Sequence, residues 1–161
     1  MDYYLLADMT VQIGYELAVA GAETYRVEET MRRVIEAYGT EGQVFAIPNC
    51  VAVSFVTPNT KPLAIMKRVS YHGNDLERIE KLNALSRRIC AEVPEPQEAQ
   101  RWLKETTAAV RSYAVWTYYL GNFMAAAGFC CVFGGTVRDW LWAGLSGLII
   151  GFVTRCMDRL E

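Results

Sequence analysis

A chain of 161 residues holds one or two small domains. Its net charge of −2 comes with no basic stripe, which argues against a nucleic-acid partner. Hydrophobic residues make up 52% but are unevenly placed: 28 of the 34 charged side chains lie in residues 1–111, and the 26 residues from Ser112 to Val137 carry none. The expected organisation is therefore a water-facing domain, 1–111, followed by a membrane part, 112–161.

In chain order, residues 4–20 show helical spacing, with Leu6, Met9, Ile13 and Leu17 on one side and Gly21 suited to end the helix. No Lys or Arg precedes Arg26, so the N-terminus lacks the basic region of a secretory signal. Thr24 to Tyr38 predicts a second helix. Val27, Met31, Val34, Ile35 and Tyr38 form its apolar stripe, Glu28–Arg32 and Glu29–Arg33 are i,i+4 pairs, and Gly39 is its stop.

The period then changes. Val44 to Ile47 and Val51 to Val56 read as short strands separated by Pro48-Asn49. After a turn at Pro58-Asn59-Thr60-Lys61-Pro62, Leu63 to Tyr71 reads as a returning strand, with Lys67 interrupting its apolar face. Asn74 and Glu77 predict a capping box that opens a helix through Leu76, Ile79, Leu82 and Ile89. Pro96 suits the first turn of a further helix carrying Trp102, Leu103 and Val110. The expected fold class is an α+β domain, helices packed on a small β-sheet, followed by an α-helical membrane hairpin.

The first membrane helix is expected at about 112–133, with Tyr113, Trp116, Tyr118 and Tyr119 at headgroup level. Gly134-Gly135 ends it. The second is expected at about 137–156. Only 15 uncharged residues separate Asp139 from Arg155. That is about 22 Å of helix, so Thr136 to Asp139 and a snorkelling Arg155 make up the length of a core about 30 Å thick. Ala143, Gly147 and Gly151 form a small-xxx-small face. Arg101, Lys104 and Arg111 before the first helix, with Arg155 and Arg159 after the second, place both ends in the cytoplasm.

Cys50, Cys90, Cys130, Cys131 and Cys156 form no CxxC, and His72 is the single histidine. Neither a metal site nor a catalytic constellation is expected, and buried free thiols are the simplest reading. No nucleophile elbow or Gly-rich phosphate loop is present, so neither an enzyme nor a cofactor is expected.

Several segments together resemble the threonine/serine exporter (ThrE) family. Gly21 to Met31 (GAETYRVEETM) is similar to its first signature, Leu82 to Ile89 (LNALSRRI) to a second, and Phe133-Gly134-Gly135 followed by Asp139 to the motif after its first membrane helix. The resemblance implies an inner-membrane exporter subunit for threonine and serine or for a dicarboxylate such as succinate. It implies an N-terminal domain in the cytoplasm that regulates or couples transport. The family's N-terminal half carries more than two membrane helices. Either Glu161 is a truncation point or the missing helices are supplied in trans, so a second multi-span subunit, a homo-oligomer or both are expected as partners, beside the lipid bilayer and a small-molecule substrate.

The site candidates carry two readings each. Asp139 could bind a coupling proton or a substrate's amino group, or start a helix together with Thr136. Gly134 and Gly135 could offer backbone N–H groups to an anionic substrate, or form a plain turn. Asn122 could be a ligand or a bond between helices. Glu23, Arg26, Glu28 and Glu29 could sense a ligand, or form a solvated face. Asn83 could be a structural hydrogen bond, and Arg87 could pair with an acid of Glu23–Glu29. Two other functions stay open: a membrane-anchored sensor or assembly module, and a membrane-tethered enzyme.

Overall fold

The computed structural model describes residues 1–57, 61–110 and 114–157. The order is α1 (Tyr3–Val19), α2 (Thr24–Ala37), β1 (Gly42–Ile47), β2 (Cys50–Val56), β3 (Pro62–Arg68), α3 (Leu76–Glu92), α4 (Pro96–Ala108), α5 (Val115–Val132) and α6 (Val137–Met157). Contacts divide the chain into two compact units, Met1–Val110 and Arg111–Glu161. The first combines four helices with a three-stranded antiparallel sheet, and the second holds two helices long and apolar enough to cross a membrane.

In the first unit α1 is the central element. Asp2 caps it, its carboxylate accepting from the Tyr4 and Leu5 N–H groups at 3.0 and 3.1 Å. Leu6, Met9, Ile13 and Leu17 are almost wholly buried, and burying such side chains stabilises by about 1.5–3 kcal/mol each. The close packing of α1 on α2 depends on Gly14, where any Cβ would collide with the Met31 sulfur. Both helices end in a glycine at positive φ, Gly21 and Gly39. The Gly21 and Ala22 N–H groups return to Ala18 and Leu17, and those of Gly39 and Thr40 to Glu36 and Ile35. Each set satisfies the last carbonyls of its helix.

The sheet is a meander in the order β1-β2-β3, with Val44 opposite Val53 and Val53 opposite Ile65. Its inner rows pack on the helices, burying Val51, Val53 and Phe55. The outer row Phe45–Ala52–Met66 faces away, with Phe45 and Met66 exposed. Lys67 sits on the inner face, where its ammonium donates to Gln12 Oε1 and lies 4.2 Å from the Tyr15 ring centre.

Three expectations are corrected here. The third strand ends at Arg68, not Tyr71, although Val69 still donates to the Asn49 carbonyl at 2.9 Å. The cap of α3 is Asp75, which accepts from the Arg78 N–H at 2.9 Å, not Asn74. The Asp75 N–H is itself held by the Ala20 carbonyl, which fixes where the helix begins. Leu76 is consequently exposed, while Leu82 and Ile89 are fully buried. Finally, Glu28 does not pair with Arg32: its carboxylate accepts from the Ala46 N–H at 2.8 Å and covers the free edge of β1. Glu29 takes both Arg32 and Arg33.

The second unit is a helical hairpin. At 1.5 Å per residue, α5 with 18 residues and α6 with 21 are about 27 and 31 Å long. α5 starts at Val115; Ser112 and Tyr113, expected at its start, lie outside the described residues, as do Pro58, Asn59, Thr60, Arg111 and Arg159. All five cysteines are free, but Cys131 and Cys156 are exposed rather than buried.

Candidate functional site

Two places gather the candidate residues: a groove in the first unit and the turn and seam of the hairpin.

The groove runs between α2 and α3 and encloses about 830 Å³. From α2 come Tyr25, Arg26, Glu29, Thr30, Arg33 and Glu36, recurring at helical spacing on one face. From α3 come Asn83, Ser86, Arg87 and Cys90. Most charges here neutralise one another. Glu29 bonds Arg33 at 2.7 Å and also takes Arg32, and these two guanidinium groups hold its carboxyl below the usual carboxylate range. Arg26 lies 2.9 Å from Glu23 and donates to the Tyr25 hydroxyl at 3.3 Å. That hydroxyl, followed by Glu23, raises the Arg26 pKa. Such exposed pairs contribute little to stability, being screened by solvent. Burial pushes the Cys90 thiol up.

Arg87 is different. Glu23 and Glu29 are occupied by Arg26, Arg32 and Arg33, so the expected pairing of Arg87 with the Glu23–Glu29 segment is not formed. Among the described residues no carboxylate lies within 4.0 Å of it. The Asn83 carbonyl oxygen of the backbone accepts from Ser86 Oγ at 2.9 Å. The Asn83 carboxamide and the Thr30 hydroxyl bond no described protein group.

The structure thus brings Arg26, Asn83 and Arg87 to one groove, with Glu23 at its rim through Arg26, and leaves Glu28 elsewhere on the strand edge. The α2 residues Thr30, Arg33 and Glu36 were legible as the i+4, i+7 and i+10 continuation of Arg26. A polar chain through Arg78, Glu16, Gln12 and Lys67 had no local signal. Arg78 bonds Glu16, Gln12 donates to Glu16 at 2.8 Å, and Gln12 accepts from Lys67. Glu16 is only 8% exposed although it reads as a surface residue.

In the hairpin, Gly134 has φ +77°. Its N–H donates to the Cys131 carbonyl and that of Gly135 to the Cys130 carbonyl, each at 3.0 Å. This is the same helix-ending pattern as at Gly21 and Gly39. Both N–H groups are engaged, so neither is an orphan donor in this conformation. Asp139 is exposed, and its carboxylate accepts from the Thr136 N–H at 2.9 Å and the Thr136 hydroxyl at 2.7 Å. It thereby caps the start of α6.

Asn122 donates to the Tyr118 carbonyl of its own helix at 2.9 Å. Its backbone and side chain abut Gly147 and Gly151 of α6. The buried seam residues of α6 are Gly144, Gly147 and Gly151, with Ala143 half-buried beside them. Asn122 lies eleven residues before Phe133, about 16 Å along the helix. It is thus remote from Asp139, and the two do not share a site.

Residues 8–161 match the family described as "Putative threonine/serine exporter". The chain is 25% identical over 155 residues to a "Probable threonine/serine exporter" of Mycobacterium tuberculosis, an alignment covering 95% of this chain and 29% of that protein. It is 27% identical over 139 residues to "Pheromone-regulated membrane protein 10" of Saccharomyces cerevisiae, covering 84% of this chain and 18% of the yeast protein. The corresponding protein of Eremothecium gossypii is 23% identical over 137 residues, with 84% and 17% covered. The chain spans less than a third of the length of these relatives. No solved structure matches it. With the family's pattern extending from α1 through the hairpin, the chain belongs to the threonine/serine exporter family.

Proposed function

We propose that the chain is a subunit of an inner-membrane exporter of small metabolites. The cargo is threonine and serine or a dicarboxylate such as succinate. The first unit lies in the cytoplasm and regulates or couples transport. The observation that carries this reading is the hairpin, which turns large apolar side chains outward and packs glycines inward. That arrangement suits lipid, where small residues let helices approach closely. Membership of an exporter family and the similarity to a protein named as an exporter support the transport class.

Two helices share one seam and enclose no route. In this reading further membrane helices complete the pathway, and a second multi-span subunit, further copies of this chain, or both are its proposed partners. Asp139 and the glycine turn act in this reading as structural ends of α5 and α6, placing the hairpin's tip. The test is efflux from cells preloaded with labelled threonine, serine or succinate, compared with cells lacking this chain but retaining the membrane partner. Deletion is expected to abolish efflux of at least one of the three. Unchanged efflux of all three rejects the reading.

A further inference from the structure

We propose that the α2–α3 groove is a binding site for a small carboxylate-bearing molecule, held by Arg87, Asn83 and Thr30. Three observations converge on it. First, the groove's charges cancel in pairs except at Arg87, whose guanidinium has no carboxylate partner among the described residues. A guanidinium presents a planar fork of donors that matches a carboxylate in two parallel hydrogen bonds. Second, the two other unengaged polar groups of the groove, the Asn83 carboxamide and the Thr30 hydroxyl, come from opposite walls, α3 and α2. They supply the further donors and acceptors that fix a small polar ligand. Third, Ala37, Cys90 and Ala91 give the groove an apolar portion for a short carbon chain.

The charge balance selects the class. The lining includes Arg26, Arg33 and Arg87 against Glu29 and Glu36, an excess of one positive charge. One carboxylate neutralises it. A phosphate would leave negative charge unmatched beside two carboxylates, since Arg26 and Arg33 are already committed to Glu23 and Glu29. The volume, about 830 Å³, accommodates a small metabolite. The site lies wholly within the first unit, and the inference does not depend on the transport reading.

The experiment is calorimetric titration of the full chain in lipid nanodiscs with propionate, L-threonine and inorganic phosphate as separate probes. Saturable binding of at least one carboxylate is expected, with phosphate binding more weakly. Arg87→Gln is expected to weaken carboxylate binding by at least about tenfold, since it removes a charge-assisted pair. Arg101→Gln, the same change on exposed α4, leaves it unaltered. Thr30→Val changes the opposite wall and weakens binding too, which keeps the test open should Arg87→Gln fail to fold. The proposal is overturned by absence of saturable carboxylate binding, by phosphate binding as tightly, or by a folded Arg87→Gln chain that binds as before. Because binding is read without a gradient, a chain that binds but does not support efflux overturns the transport reading and leaves this one standing.

Discussion

The two units bury opposite kinds of residue. In Met1–Val110 large side chains dominate the fully buried set, among them Leu6, Met9, Ile13, Met31, Leu82 and Ile89. In the hairpin the buried positions among the described residues are Ala127, Gly144, Gly147 and Gly151, while Trp116, Phe129, Trp142, Ile149 and Phe152 are exposed. Water explains the first pattern, because apolar area gains free energy by leaving it. The same argument would forbid the second. In hydrocarbon a leucine gains nothing by meeting another leucine, and helices associate where small residues allow backbones to touch. A residue's preference for the inside is thus a property of its solvent, and the hairpin's buried glycines and outward apolar side chains are what lipid favours.

Substitution at the seam is the strongest way to break this comparison. At Gly147 a side chain would run into the Asn122 carbonyl oxygen, which is backbone and cannot swing aside. Gly147→Leu is expected to open the hairpin and abolish efflux, read with labelled substrate alongside the amount of chain in the membrane. Gly128→Leu, where nothing lies within 4 Å, is expected to keep both. Equal behaviour of the two variants would mean that the seam is not what holds α5 to α6. In the first unit the corresponding test runs the other way. Leu82→Ala is expected to lower stability by about 2–5 kcal/mol through the cavity it leaves. Leu141→Ala, at an exposed hairpin position, changes it by less than about 0.5 kcal/mol. Urea unfolding of the full chain followed by circular dichroism measures both.

How far the sequence revealed this depends on how local each cause is. α2 was legible because Val27, Met31, Val34 and Ile35 recur at helical spacing and Gly39 follows at the position that ends a helix. Gly134 was legible for the same reason. The destination of Glu28 was not, because the i,i+4 rule sees only its own helix and the partner is an edge-strand N–H 18 residues on. Asn74 and Asp75 are both good capping residues; the choice between them rests on a hydrogen bond from Asp75 to Ala20, more than 50 residues back. The groove was half legible. Arg26, Asn83 and Arg87 each stood out, but that they face one another is a fact of α2 packing on α3.

A smaller effect separates the two readings of Asp139. Asn at this position keeps a side-chain oxygen to accept from Thr136 but loses the charge that favours a helix N-terminus. As a cap, Asp139→Asn lowers stability only slightly and retains efflux, whereas Thr136→Ala removes one of the two bonds for about 0.5–2 kcal/mol. Loss of efflux in a stable Asp139→Asn chain would assign the carboxylate to transport instead.

The smallest expected effect lies in the pH dependence of the first unit. Tyr38 closes α2, and its hydroxyl donates to the Pro94 carbonyl at 2.6 Å. Burial, with the Cys90 thiol and Glu95 adding to it, pushes its pKa up from 10.0 to about 12. The folded state therefore disfavours the phenolate more than the unfolded state does. A group raised in this way contributes stability that is fully present below pH 10 and is lost as pH climbs through about 12. Cys90 acts in the same direction from its ordinary value of 9.0, since burial raises it as well. Tyr38→Phe keeps the ring but removes both the hydrogen bond and the titration. It is expected to cost about 1 kcal/mol near neutrality and to flatten the alkaline decline, with Cys90→Ser flattening its lower part. Urea midpoints measured across the alkaline range check the sign: parallel curves for Tyr38→Phe and the parent chain would place the decline in groups outside this corner of the core.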